Sequence, residues 1–329
     1  MIDEVLKDLF RIEIPLPGSP LGTLNAYAIR TSNRNLMIDT GMNREECLEA
    51  MQAALKDLQI DLRKTDFFIT HMHLDHSGLL PDLTTDTSKV FYSRWDAERI
   101  RSGTLWERFA VFARMNGFPE EELKEVLLIH PGHKFHEKRL EQPSNFIMVE
   151  GDSPIDIGDY HFRTVHTPGH TEGHMCLYEQ DRKVFVSGDH ILYDITPMIQ
   201  LWSDDENPLA DYLSSLSRVE ALDIDLVLPG HRKIFRDWRE RIQELKLHHK
   251  QRAEEVLNVL RKDSKNAFQV ASEMSWDIES ESWEVLPVLQ KWFAMGEAMA
   301  HLKYLEQEGK IKKEVRGATV EFSPLKLCH

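Results

Sequence analysis

The chain has 329 residues, 41% of them hydrophobic and 29% charged, with a formal net charge of −15. That length exceeds one ordinary core and suits two domains, and the composition is that of a folded, soluble protein, not a disordered one. No apolar run is long enough to cross a bilayer, and the charge would repel a polyanion at long range.

In chain order, Met1–Val5 lacks the basic and apolar regions of a secretion signal. Asn35–Asp39, Asp66–Thr70 and Lys89–Tyr92 are short apolar runs bounded by turn residues, and are read as buried strands. Between the first two, Arg44–Leu58 carries Cys47, Leu48, Met51, Leu55 and Leu58 at helical spacing. The stretch from about Arg94 to Gln142 is helical in pattern, with Trp95, Trp106, Phe109, Phe112 and Phe118 interleaved with arginines. It reads as a packed helical insert, as a lid that shapes a substrate pocket, or as both. His174–Glu179 and Lys183–Val186 form a hairpin pattern around Gln180–Arg182. Pro208–Leu222 is helical, with Asn207 as N-cap and Pro208 in first position, and Asp225–Leu228 is another strand. This mixture is α/β.

After Arg241 the pattern becomes helical: Ile242–Leu260, Ala267–Met274 and Leu289–Glu308, the last ended by Gly309. Ile311–Val315 and Ala318–Phe322 then flank Arg316-Gly317 as a two-stranded hairpin. Three helices and a small hairpin make a winged-helix-like arrangement. The expected division is residues 1–240, with the insert at about 94–142, and residues 241–329. Cys47, Cys176 and Cys328 are odd in number and widely spaced, as reduced thiols of a cytoplasmic protein would be.

The 16 histidines are the unusual feature of the composition. His71, His73, Asp75 and His76 fall within six residues, directly after a predicted strand. Alternate residues of a tight loop can point the same way, so His71 and His73 can share one ion while Asp75 and His76 reach a second. Three further segments place a metal-type residue beside a glycine just past a strand: Thr167–His174, Ser187–Asp189 and Pro229–His231. Loops at strand ends are where α/β proteins build sites. Imidazole and carboxylate suit zinc, and iron or manganese as well.

Together with Ile38–Gly41, these segments resemble the five motifs of the metallo-β-lactamase superfamily, over about residues 10–240. The resemblance implies a four-layer αββα sandwich with the site along one edge of its sheets. It implies that His71, His73 and His170 bind one ion, that Asp75, His76 and His231 bind a second, and that Asp189 bridges them. Asp39 matches a supporting position that binds no metal, and Asp75 is expected to be required for turnover. Flavodiiron oxidoreductases carry Glu where this chain has His73, and true β-lactamases usually lack a bridging aspartate, so the resemblance favours another hydrolysis. The implied chemistry is attack on a carbonyl or phosphorus centre by a hydroxide shared between two ions.

Other histidines take plainer roles in this reading. His174 supports by hydrogen bonding, and His190 has no slot in the ligand set. His248 and His249 are expected on the surface. His130, His133 and His136 form a weaker second metal pattern, and Cys176 is core. The tail resembles the winged-helix domain of a subgroup that includes β-lactamase-like protein 2 and bacterial glyoxalase II-like hydrolases. Gly188–Leu192, Ile195–Pro197 and Asp205–Ala210 resemble the bacterial members. Its presumed recognition helix mixes Lys291 and Lys303 with Glu297, Glu306 and Glu308, and only Lys310, Lys312, Lys313 and Arg316 form a basic cluster. A DNA reader concentrates positive charge on that helix, so domain packing, dimerisation or cleft closure ranks above nucleic-acid binding. The leading function is hydrolysis of a small acyl ester or thioester. Endoribonuclease or phosphodiesterase activity comes second, and a ligand-sensing DNA-binding regulator third.

Overall fold

The computed structural model describes residues 1–101, 105–130, 146–201, 203–277 and 282–325. The chain divides into two compact units: Met1–Arg101, Arg139–Pro197 and Ser215–Ile242 form the first, and Ser102–Lys138, Met198–Ser214 and Gln243–His329 the second. Among the described residues, no helix is long and apolar enough to cross a membrane.

The first unit is a mixed α/β structure with two sheets. The larger holds β1 (Ile2–Leu6), β2 (Leu9–Pro15), β3 (Thr23–Ile29), β4 (Asn35–Ile38), β5 (Thr65–Phe68), β6 (Val90–Ser93) and β7 (Phe146–Val149), in that order. β1 to β4 pair antiparallel, whereas β4 to β7 run parallel. The smaller sheet has the order β12-β11-β10-β9-β8, from β8 (Pro154–Ile157), β9 (Tyr160–His166), β10 (Met175–Glu179), β11 (Val184–Gly188) and β12 (Leu226–Pro229). The hairpin read from the sequence is β10–β11, with Leu177 opposite Val186, and β12 joins β11 in parallel.

Period-two alternation divides the side chains of these strands between two cores. Leu9, Tyr27, Ile29, Ile38 and Phe68 of the large sheet meet Ile155, Phe162, Leu177, Val186 and Leu228 of the small one. The opposite face of the large sheet packs Ile12, Ile14, Ala26, Met37 and Phe67 against Cys47, Met51 and Leu55 of α1 (Glu45–Asp57). Fully burying each such Leu, Ile or Phe contributes roughly 1.5–3 kcal/mol. Outward positions of the small sheet, Cys176, Phe185 and Val227, are equally buried. Both Cys47 and Cys176 are free thiols, and Cys328 lies outside the described residues.

Strand direction is what positions the site. β9 and β11 each pair antiparallel with β10, so they run the same way, and β12 runs with β11. β4, β5 and β6 share one direction in the larger sheet. The four segments that carry the seven expected ligands lie at the C-terminal ends of these strands.

In the second unit, α5 (Leu105–Met115) and α6 (Glu120–Ile129) pack with the C-terminal helices. Those are the C-terminal part of α8 (Trp238–Leu260), α9 (Ala267–Glu273) and α10 (Val288–Gln307), followed by the β13–β14 hairpin, Ile311–Arg316 with Thr319–Pro324. A single cut near residue 240 therefore does not separate the units. Phe118 lies edge-on to Phe268 and Trp292, the Asn116 carbonyl accepts from Phe268 N–H, and Glu122 pairs with Lys291 at 3.0 Å. Lys291, a cation of the helix that a DNA reader would use for recognition, is buried in that pair. α10 buries Trp292, Met295, Met299, Leu302 and Leu305. Helical pattern in the insert holds over α4 (Arg94–Arg101), α5 and α6, while His133 and His136 lie outside the described residues.

His249 corrects the sequence reading. It is 2% exposed, because it falls on the buried stripe of α8 with Leu245, Ala253, Val256 and Leu260. His301 Nδ1 donates to the Glu297 carbonyl at 2.9 Å, so its Nε2 accepts from His249 Nδ1 at 3.3 Å. Burial holds His301 down at about 4 and, with His301 beside it, holds His249 well below the ordinary histidine range. Below pH about 6.5 the unfolded chain protonates these rings while the folded unit does not, so stability present above that pH is lost as pH falls toward 4. The slope is about 1.4 kcal/mol per pH unit for each imidazole. His301→Gln cannot titrate and should flatten the pH dependence of hydrogen-exchange protection in α10 over that window. An unchanged slope would refute the assignment.

Candidate metal centre

The seven residues read as ligands come together. His71 Nε2 lies 3.0 Å from His73 Nδ1, which lies 2.9 Å from His170 Nε2. Asp75 Oδ2 is 3.3 Å from His231 Nε2 and 3.9 Å from His76 Nε2. Asp189 stands between the two sets, 3.4 Å from His76, 3.5 Å from His231 and 3.6 Å from His170. Three groups have the spacing to hold an ion: His71, His73 and His170; His71, His76 and Asp189; and Asp75, His76 and His231.

Hydrogen bonds behind the rings determine which nitrogen faces inward. Asp39 accepts from Thr70 N–H and Thr70 Oγ1, each at 2.8 Å, and from His76 Nδ1 at 2.7 Å. With its own proton committed to Asp39, Thr70 Oγ1 accepts from His71 Nδ1 at 3.1 Å. His231 Nδ1 donates to the Thr23 carbonyl at 2.8 Å. His71, His76 and His231 therefore all turn Nε2 inward, the tautomer control expected of metal-binding histidines. Asp39 adopts φ +59, a left-handed conformation that Asp tolerates better than most residues. His174 has the supporting place expected of it: it is buried, with Nε2 accepting from Asp189 N–H at 3.1 Å and Nδ1 2.8 Å from Thr167 Oγ1. Cys176 is core, its thiol pushed well up by burial.

The two carboxylates draw positive charge into the site, and burial opposes it on the rings. Burial, followed by the neighbouring rings, holds His71 well below its ordinary range and His73 at about 3, so both are neutral imidazoles. Burial also opposes charge on His231, but Asp189 and Asp75 outweigh it and raise that ring to about 10. His76 is raised in the same way. Despite burial, Asp75 and Asp189 are held well below the carboxylate range by these two rings. His76 Nε2, His231 Nε2 and Asp189 Oδ1 are buried and, among the described residues, make no hydrogen bond. Orphaned buried polar atoms are costly unless something pairs them. Three that converge at one place, on nitrogen and oxygen donors, suit a divalent ion.

Sequence reasoning missed some of the supporting residues. Asn25 Nδ2 donates to the Pro229 and Arg232 carbonyls at 3.0 and 2.7 Å, and Tyr27 Oη to Pro229 at 2.8 Å, which fixes the loop carrying His231. Asp96, on α4, is fully buried against two of the metal loops.

A metallo-beta-lactamase superfamily profile matches residues 20–231, and one for a metallo-beta-lactamase-like C-terminal domain matches residues 283–324. The chain belongs to the metallo-β-lactamase superfamily. It is 25% identical to a probable metallo-hydrolase, YqjP, of Bacillus subtilis, over 97% of this chain and 99% of that one. It is 27% identical to the human acyl-coenzyme A thioesterase MBLAC2, over 64% of this chain and 74% of the relative. A metallo-β-lactamase family protein of Thermus thermophilus superposes with a TM-score of 0.79 at 26% identity, over 97% and 99% of the two chains. This superfamily member is a metal-dependent hydrolase.

Its glycines are fitted to the site. A Cβ on Gly230 would lie 2.5 Å from Asp189 Oδ1 and 2.8 Å from His76 Cε1. Gly188, at φ +48, would press on His174 Nε2 at 2.8 Å. Gly230→Ala must displace Asp189 or His76, so zinc affinity should fall about tenfold or more, read by titration against a competing chelator. Wild-type affinity in that variant would contradict the assigned site.

Proposed function

We propose that the chain hydrolyses a small thioester or ester with two divalent ions, zinc by expectation. His71, His73 and His170 would hold one, Asp75, His76 and His231 would hold the other, and Asp189 would serve both. The observation that carries this reading is the place of Asp189, within 3.4–3.6 Å of imidazoles from both sets. When bound, such ions supply acidity to a water and positive charge to a developing oxyanion. In the reaction, water oxygen bonds to the acyl carbon, the C–S bond breaks, and the sulfur leaves with a proton as thiol. Asp75 is the more open of the two carboxylates, 17% exposed against 8% for Asp189, which suits it to pass that proton to the leaving group.

The likeness to an acyl-coenzyme A thioesterase supports the substrate class. Charge pairing in the second unit favours a small-molecule substrate over nucleic acid: Lys312 and Arg316 pair with Glu314, and Lys313 with Asp204. Helices followed by a hairpin support a winged-helix-like reading of that unit, and buried free thiols support a cytoplasmic setting.

Metal analysis with a paired assay tests the proposal. Acyl-coenzyme A thioesters and single-stranded RNA are offered before and after chelation. Expected are two equivalents of metal and thioester turnover that disappears with the chelator and returns with zinc. His170→Ala should lower turnover by about 100-fold or more. RNA cleavage without thioester turnover would reverse the substrate assignment.

A further inference from the structure

We infer that Asp96 is a positioning residue that clamps two metal-bearing loops together and thereby sets the spacing of the His71, His73 and His170 imidazoles. This rests on the two-ion reading and deepens it. One oxygen of the buried carboxylate, Oδ2, accepts from Met72 N–H at 2.8 Å and Thr171 Oγ1 at 3.1 Å, and Oδ1 accepts from Gly173 N–H at 2.9 Å. Met72 lies between His71 and His73, and Thr171 directly follows His170. At their roots the same loops are joined by Met175 N–H to the Thr70 carbonyl at 2.8 Å. Asp96 makes a second join, at residues next to the ligands themselves.

The approach is close. A Cβ on Gly173 would lie 2.4 Å from Ser93 Oγ and 2.6 Å from Asp96 Cγ, so the loop comes this near only as glycine. Arg99 of the same helix reaches Glu172 at 3.5 Å, a further tie to the His170 loop. Supports of the other set are elsewhere: His76 leans on Asp39, and His231 on Thr23. A defect at Asp96 should therefore be felt first at His71, His73 and His170.

Asp96→Asn keeps the size of the side chain and breaks the clamp. Whichever way the amide turns, its NH2 faces a backbone N–H, of Met72 or of Gly173. Cobalt(II) titration of the chelator-stripped full chain, read by visible absorption, separates the ions. Two steps are expected in the wild type. In Asp96→Asn one step should weaken about 10- to 100-fold and the other should keep its affinity. The weakened step should be the one that His170→Ala abolishes. Thermal melting of the stripped variant checks that it is folded. Should it not fold, Thr171→Val, which removes only the side-chain bond, is expected to weaken the same step severalfold. Two unaltered steps, or a uniform loss from both, would overturn the clamp and leave the two-ion reading standing. Uptake of only one equivalent by the wild type would overturn both.

Discussion

Five imidazoles and two carboxylates packed into a space largely closed to water oppose folding unless each is given a fixed partner. Burial penalises charge on the rings and on the acids alike. Here the penalty is met by geometry. Strands of both sheets that carry site residues run toward one edge, so loops distant in sequence deliver side chains to one place. Once there, burial holds His71 and His73 neutral, while Asp75 and Asp189 raise His76 and His231 against the same penalty. The same packing that makes the cluster costly leaves three polar atoms without a hydrogen bond among the described residues. Those atoms are where a cation fits best.

Rigidity behind the cluster follows from a second set of contacts. Asp39 organises Thr70, and Thr70 in turn organises His71, so one buried carboxylate fixes two rings. β3 performs the same task for His231 by means of a main-chain carbonyl, an amide and a phenol. Glycine is what lets these parts approach. At Gly188 and Gly230 a methyl group would occupy the space of a ring or a carboxylate oxygen. Such partners orient the ligands and raise their basicity.

How much of this is legible in the sequence depends on distance along the chain. The ligands are readable because metal-type residues cluster locally and each cluster ends an apolar strand. Asp39 is readable only through the family resemblance, since it belongs to no local cluster that names its role. Asn25, Tyr27 and Asp96 are hardly readable. They are common residues whose partners lie far along the chain, and the one available signal for Asp96 is its place just after a strand that runs to the site edge. His249 misleads because adjacent histidines suggest an exposed run, whereas the phase of the helix buries the second of them. The grouping of residues 102–138 with the C-terminal helices is hidden for a similar reason: it depends on ring contacts of Phe118 that no local pattern announces.

The division of the chain fits this separation of tasks. The superfamily profile ends at residue 231, on the last metal-type residue of the set. Two segments that leave the first unit begin soon after β6 and β11, the strands that precede Asp96 and Asp189. Both strands run toward the edge that carries the chemistry. Connections from that edge can be lengthened or replaced without disturbing the strands, which is how one scaffold comes to serve many substrates. The metal-type residues and their supports, Asp96 included, all belong to the unit that must not change. What distinguishes this chain from other members of its superfamily is then to be sought in the segments that leave that unit.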